Sequence, residues 1–260
     1  MDTSELRVSI IQSDLVWENK SLNFSHFDEL IEAIELNTDL IILPEMFTTG
    51  FSMNAEVLFD KPEGGTLDWM RQHAIKKQTA ITGSAIVKVK DSFFNRLYFV
   101  KPDGSYNTYD KKHLFTLAKE HEHYSAGSRK LIIEYKGWKI CPLICYDLRF
   151  PVWARNTENY DLLIYVANWP EKRIAAWDAL LKARAIENMC YCIGVNRIGQ
   201  DGNDYPYVGH SAIYDTLGQK ISTDLFEEAF VETKILSKVH IDNTREKLGF
   251  LRDRDSFELL

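Results

Sequence analysis

No apolar run in the 260-residue chain approaches the length needed to span a bilayer, so no membrane association is expected. No run of lysine or arginine marks a basic patch, and the formal net charge of −7 argues against a nucleic-acid surface. The opening residues, Met1-Asp2-Thr3-Ser4-Glu5-Leu6-Arg7, are polar and acidic, unlike a signal peptide. Without an export signal, the four cysteines are expected as thiols in a reducing cytoplasm. Cys141, Cys190 and Cys192 lie in apolar runs and read as packing residues. Neither a dinucleotide fingerprint nor a P-loop is present, so no cofactor is expected. The zinc-protease helix motif is missing too. Glu120-His121-Glu122-His123 could place alternate side chains on one face of a strand, but no further cysteine or histidine pair sits at ligand spacing. It reads as a polar loop with solvated histidines, and no metal is expected. Gly209-His210-Ser211-Ala212-Ile213 lacks the last glycine of a serine nucleophile elbow. With no linker, low-complexity segment or repeat, residues 1–260 read as one domain, with a core over about 6–248 and a tail at 249–260.

What is present is ordinary for a globular α/β chain: 45% hydrophobic and 27% charged residues. Leu6 to Gln12 predicts a strand. Asn19 to Leu36 predicts a helix, with Leu22, Phe27, Leu30, Ile31 and Ile34 at helical spacing. Asp39 to Glu45 is an apolar strand ending in a carboxylate, and Thr66 to Lys77 a helix with Leu67, Met70, Ala74 and Ile75 inward. Thr79 to Lys88, Asn95 to Val100 and Ser105 to Tyr109 predict antiparallel strands, the last two joined by a turn at Pro102-Asp103-Gly104. Trp138 to Ile144 predicts a buried strand that stops at Cys145, after which Asp147 to Pro151 opens a helix. Helix N–H groups there would lower a thiol pKa and hold an oxyanion. Strands at 161–167, 191–195, 210–214 and 229–235 follow, with helices over 171–189 and 239–248. The first of those helices carries Ile174, Trp177, Leu180, Leu181, Ala185 and Ile186 on its face.

Four polar residues end or follow apolar strands: Glu45, Lys111, Glu120 and Cys145. Each alone reads as the start of a loop. Gathered at one sheet rim, a carboxylate, an ammonium and a thiol are a kit for acyl transfer.

Three stretches in order resemble the motifs of the nitrilase, or carbon–nitrogen hydrolase, superfamily. They are Leu43-Pro44-Glu45, Tyr109-Asp110-Lys111-Lys112-His113-Leu114-Phe115 and Ile144-Cys145-Tyr146-Asp147-Leu148-Arg149-Phe150-Pro151. The resemblance runs from about Leu6 to the tail. One departure is Asp110, where many relatives carry arginine. The resemblance implies a single-domain α-β-β-α sandwich and a homodimer. It makes Cys145 the nucleophile, Lys111 and the Tyr146 N–H the oxyanion donors, and Glu45 the proton carrier. Glu120, upstream of Gly127, takes the place of a second glutamate, with Glu122 as its near rival. Among such enzymes the chain looks most like the ω-amidase group, which hydrolyses 2-oxoglutaramate or related ω-amides. The stretches behind that are Phe47 to Phe51 and Asn168 to Arg173, with Phe47 and Trp169 walling the substrate and Arg173 receiving its carboxylate. Hydrolysis of another small amide or a nitrile, or a catalytically silent binding protein on the same fold, are the alternatives.

Overall fold

A computed structural model describes residues 4–35 and 37–258. The chain runs β1 (Glu5–Gln12), α1 (Lys20–Glu32), β2 (Leu40–Ile42), α2 (Ala55–Leu58), α3 (Gly65–Lys77), β3 (Ala80–Val89), β4 (Ser92–Val100) and β5 (Tyr106–Asp110). It continues through α4 (Glu120–His123), β6 (Ile133–Tyr135), β7 (Trp138–Ile144), a 3-10 turn at Cys145–Arg149, α5 (Pro151–Ala154), β8 (Leu162–Val166) and α6 (Ile174–Asn188). The last part holds β9 (Tyr191–Val195), β10 (Ile198–Gln200), β11 (Pro206–Val208), β12 (Ala212–Tyr214), β13 (Phe230–Ser237) and α7 (Lys238–Leu248).

Two sheets result, with strand orders β13-β1-β2-β3-β4-β5 and β12-β9-β8-β7-β6. Side-chain alternation explains their stacking. Leu6, Val8 and Ile10 of β1, Leu40 and Ile42 of β2, and Leu97 and Phe99 of β4 face the second sheet in one core. The intervening Ile11, Ile41, Tyr98 and Val100 face the other way, onto Phe27 and Ile31 of α1 and Leu67, Met70 and Ala74 of α3. On the far side, α6 lays Trp177, Leu181 and Ala185 against the second sheet. Gly194 of β9 permits this close approach, because a Cβ there would stand 2.4 Å from Leu181 Cδ1. The layers are therefore helix, sheet, sheet, helix, as expected.

Parallel pairing sets the site. Ile10, Ile42 and Thr82 are in register in the first sheet, and Ile144, Val166 and Val195 in the second. The segments leaving β2, β7 and β8 thus emerge at ligand-binding strand ends, and they carry Glu45, Cys145 and Asn168.

Several expectations change. The first helix ends at Glu32, and Leu36 lies outside the described residues. Leu22, Ile75 and Ile186 are about half exposed at the margins of their helices, at 53%, 50% and 46%. Glu120–His123 is a helical turn in place of a loop or strand, so its alternate residues share no face. Among the described residues, no group of three His, Cys, Asp or Glu side chains could hold a metal ion. The hairpin β10–β11 was not anticipated at all.

Candidate active site

Lys111 leaves the end of β5, where its N–H donates to Asn95 O (3.0 Å) and its carbonyl accepts from Gly127 N (2.8 Å). Its side chain is 1% exposed and its ammonium is fully engaged. Nζ donates to Glu45 Oε1 at 3.0 Å and to both Glu120 oxygens at 3.0 Å, with the Phe51 ring 5.0 Å away. Burial alone would strip the proton from this lysine, but Glu120 and Glu45 outweigh it and hold the ammonium charged. Glu120 is buried with Lys111, while Glu122 is exposed and faces Lys119. The geometry therefore places Glu120, and not its rival, in the cluster. Burial pushes the Glu120 carboxyl up, against the pull of Lys111.

Glu45 is held at every oxygen. Oε1 also accepts from Asn95 Nδ2 (2.7 Å), and Oε2 accepts from Asn168 N (2.8 Å). Asn168 Nδ2 returns a bond to Glu45 O at 2.6 Å, stitching the ends of β2 and β8 together. Cys145 follows β7 with φ +43, a conformation that costs a non-glycine residue about 1–3 kcal/mol. Its thiol faces Glu45, and it is pushed well above the usual cysteine range by burial first and the Glu45 charge second, despite Lys111. This corrects the expected lowering. Cys145 opens a five-residue 3-10 turn with little dipole, and the charges of Glu45 and Glu120 act against a thiolate. The thiol of Cys145 thus holds its proton tightly beside the Glu45 side chain.

The Cys145 turn is locked by Asp147, which sequence reasoning left without a role. Buried Asp147 accepts from Tyr109 OH (2.7 Å), Ile144 N (3.1 Å) and His113 N (3.0 Å), and His113 Nδ1 lies 2.8 Å from it. It thereby ties the cysteine turn to the lysine segment. Asp110, the departure from the family pattern, forms a two-bond pair with Arg96 at 2.7 and 2.8 Å, away from the thiol.

Above this cluster opens a cavity of about 480 Å³ with Lys111 and Cys145 on its floor. Tyr146, Trp169 and Arg173 line it as expected. Phe47 does not. Met46, at φ +43, turns the chain so that Phe47 is fully buried against Phe27 and Trp69, and Phe51 and Phe115 wall the cavity in its place. The β10–β11 hairpin supplies Asp201, Asn203, Tyr205 and Tyr207 to the opposite wall. Its signal was legible as Asp201-Gly202-Asn203, a turn-forming run between short β-prone segments.

Residues 7–242 match the carbon-nitrogen hydrolase family. The chain belongs to the carbon-nitrogen hydrolase family. It is a hydrolase of carbon–nitrogen bonds other than peptide bonds. It is 44% identical to omega-amidase YafV of Yersinia enterocolitica, over 99% of this chain and 100% of that one. It is 35% identical to 2-oxoglutaramate amidase of Bacillus subtilis, over 88% and 90% of the two chains. The crystal structure of XC1258 from Xanthomonas campestris, a superfamily member, superimposes with a TM-score of 0.95 at 42% identity, covering 98% and 99% of the two chains. The sandwich observed is the fold of this superfamily.

Proposed function

We propose that this carbon-nitrogen hydrolase is an ω-amidase. It hydrolyses the terminal amide of a small dicarboxylic acid, of the 2-oxoglutaramate type, to the acid and ammonia. The observation that carries the reading is a neutral thiol, a fixed ammonium and a buried carboxylate meeting on the floor of a cavity whose wall bears Arg173. The Yersinia enterocolitica relative is an omega-amidase and the Bacillus subtilis one a 2-oxoglutaramate amidase, which supports it.

In the reaction, Cys145 Sγ attacks the amide carbon as Glu45 takes the thiol proton. The oxyanion is held by Lys111 Nζ and the Tyr146 N–H. Glu45 passes the proton to the amide nitrogen, the carbon–nitrogen bond breaks, and ammonia leaves a thioester behind. Water then donates a proton to Glu45 and attacks the thioester, which releases the carboxylic acid and returns the proton to sulfur. Glu120 keeps Lys111 charged and placed.

Ammonia release by purified protein tests the reading. A 2-oxoglutaramate-type substrate should be turned over far faster than a neutral amide or a nitrile, and Cys145→Ala should abolish release while the protein stays folded. Lys111→Ala should cost at least about 10²–10³ in rate. Residual turnover in Cys145→Ala would remove the nucleophile, and a preference for nitriles or neutral amides would remove the ω-amide substrate.

We further propose that residues 1–260 act as one unit in a cytoplasmic homodimer. The unpaired thiols of all four cysteines suit a reducing compartment. The tail places Phe257 beside Val152 of α5, with Phe250 59% and Val152 51% exposed. Sedimentation at micromolar concentration should give a two-chain species, and a monomer alone would overturn the assembly.

A further inference from the structure

The cavity wall carries more positive charge than one anchoring arginine requires. Arg149 lines it together with Arg173 and the exposed Lys172. Arg149 belongs to the same 3-10 turn as Cys145. Its guanidinium lies over the Trp169 ring at 4.9 Å, and that of Arg173 over the Phe115 ring at 4.9 Å. Stacking fixes both groups against the wall before anything binds, which removes part of the ordering cost of gripping a ligand.

Neither group has an acid to answer it among the described residues. Elsewhere in the molecule Arg96, Arg184, Arg197 and Arg245 are paired with Asp110, Glu187, Asp14 and Asp161, and the half-buried Arg155 and Arg254 donate to Glu187 O and Asn159 Oδ1, whereas among the described residues no such bond is made by the side chain of Arg149 or Arg173. The one carboxylate in the cavity lining, Asp201, is already taken up by Tyr207 OH and by the N–H groups of Asn203 and Tyr205. Two like charges held side by side without a counterion favour an anion arriving from outside. Burial, together with the nearby Arg149 charge, makes the Arg173 guanidinium easier to discharge than usual, a penalty that a bound carboxylate would relieve.

We propose that Arg149 and Arg173 grip one substrate carboxylate between them, and that Arg149 sets the length of acid accepted. The inference rests on the ω-amide reading and adds the residue that enforces it. A 3-10 turn rises about 2 Å per residue, so Arg149 starts roughly 8 Å along the turn from Cys145. Because Cys145 and Arg149 share one turn, the offset between their backbones is set by that turn. The substrate this arrangement would take is a short monoamide such as glutaramate, with its amide at sulfur and its carboxylate between the guanidiniums. An arginine meets a carboxylate through two parallel bonds, so each arm carries direction as well as charge.

The test compares glutaramate with pentanamide, which has the same length and no charge, in the unmodified protein, Arg149→Ala, Arg149→Lys, Arg173→Ala and the double variant. The ratio of kcat/KM for glutaramate over pentanamide should fall about 10- to 100-fold in each alanine variant. Arg149→Lys should recover part of it. In the double variant the loss should be smaller than the product of the single losses, since both arms hold one group. Calorimetry of glutarate on Cys145→Ala protein should show binding that Arg149→Ala weakens by a similar factor. A ratio within twofold of the unmodified protein in Arg149→Ala, or unchanged glutarate binding, overturns the clamp. If the unmodified protein itself shows no preference for glutaramate, the ω-amide reading falls and the clamp with it. Should Arg149→Ala fail to fold, Arg149→Gln is read by the same criteria.

Discussion

Cys145 at φ +43 is flanked in space by two other residues in the left-handed region, Met46 after Glu45 and Lys119 before Glu120. Each left-handed residue of this kind costs about 1–3 kcal/mol, and each aims a neighbouring side chain, or its own, into the same few ångströms. Asp147 is the counterweight, since it accepts three backbone or hydroxyl donors on the cysteine and lysine segments. Asp147→Asn turns one acceptor into a donor facing those groups. It should lower stability by about 1–3 kcal/mol, seen as a fall in Tm, and should lower kcat more than it raises KM. An unchanged kcat would mean that the turn holds its shape without the carboxylate. At this scale the sequence identified residue types and not directions. Glu45, Lys111 and Cys145 were visible because each breaks an apolar run, whereas the Phe47–Phe51 exchange depended on a single φ at Met46.

At the scale of elements, strands buried on both faces were the most legible. Trp138–Ile144 and Tyr191–Val195 were expected to the residue, because continuous apolar runs admit few other placements. The hairpin β10–β11 escaped because its strands are only three residues each and, of the six, only Tyr207 is buried, so no apolar run marks them. The cysteine turn was misjudged for a related reason. Pro151 ends a short 3-10 segment and begins a separate four-residue helix, so no long dipole reaches the sulfur. The β5 end shows how tightly an element can be specified. A Cβ on Gly127 would stand 2.0 Å from Asp110 O, one residue before Lys111. Gly127→Ala should force this backbone apart, lowering activity by displacing Lys111 and lowering Tm by an amount set by about 1–3 kcal/mol of strain. Normal activity in that variant would show the segment to be free to shift.

The whole molecule buries many groups that must stay protonated. The thiols of Cys141, Cys190 and Cys192 and the hydroxyls of Tyr109, Tyr160 and Tyr165 are all pushed well up by burial. Tyr135 and Tyr214 are pushed up to about 12 by the same cause. The sign follows from proton binding. The folded chain holds these protons more tightly than the unfolded one, so their contribution is intact below the unfolded values, about 8.5 for cysteine and 10 for tyrosine. It is lost as pH rises beyond them. Tm should therefore stay level through neutral pH and fall from about pH 9 upward, with a cooperative loss of structure near pH 12. A Tm that held to pH 11 would show that these groups ionise without leaving the core.

The upward push on the Cys145 thiol also bears on how it meets oxidants. Peroxide and alkylating agents attack thiolates, and the oxidation ladder from sulfenic acid upward begins at the deprotonated sulfur. Here burial and the Glu45 charge hold the proton on the Cys145 sulfur. Peroxide treatment that silences cysteine enzymes with low-pKa thiols should therefore leave ammonia release by this protein largely intact.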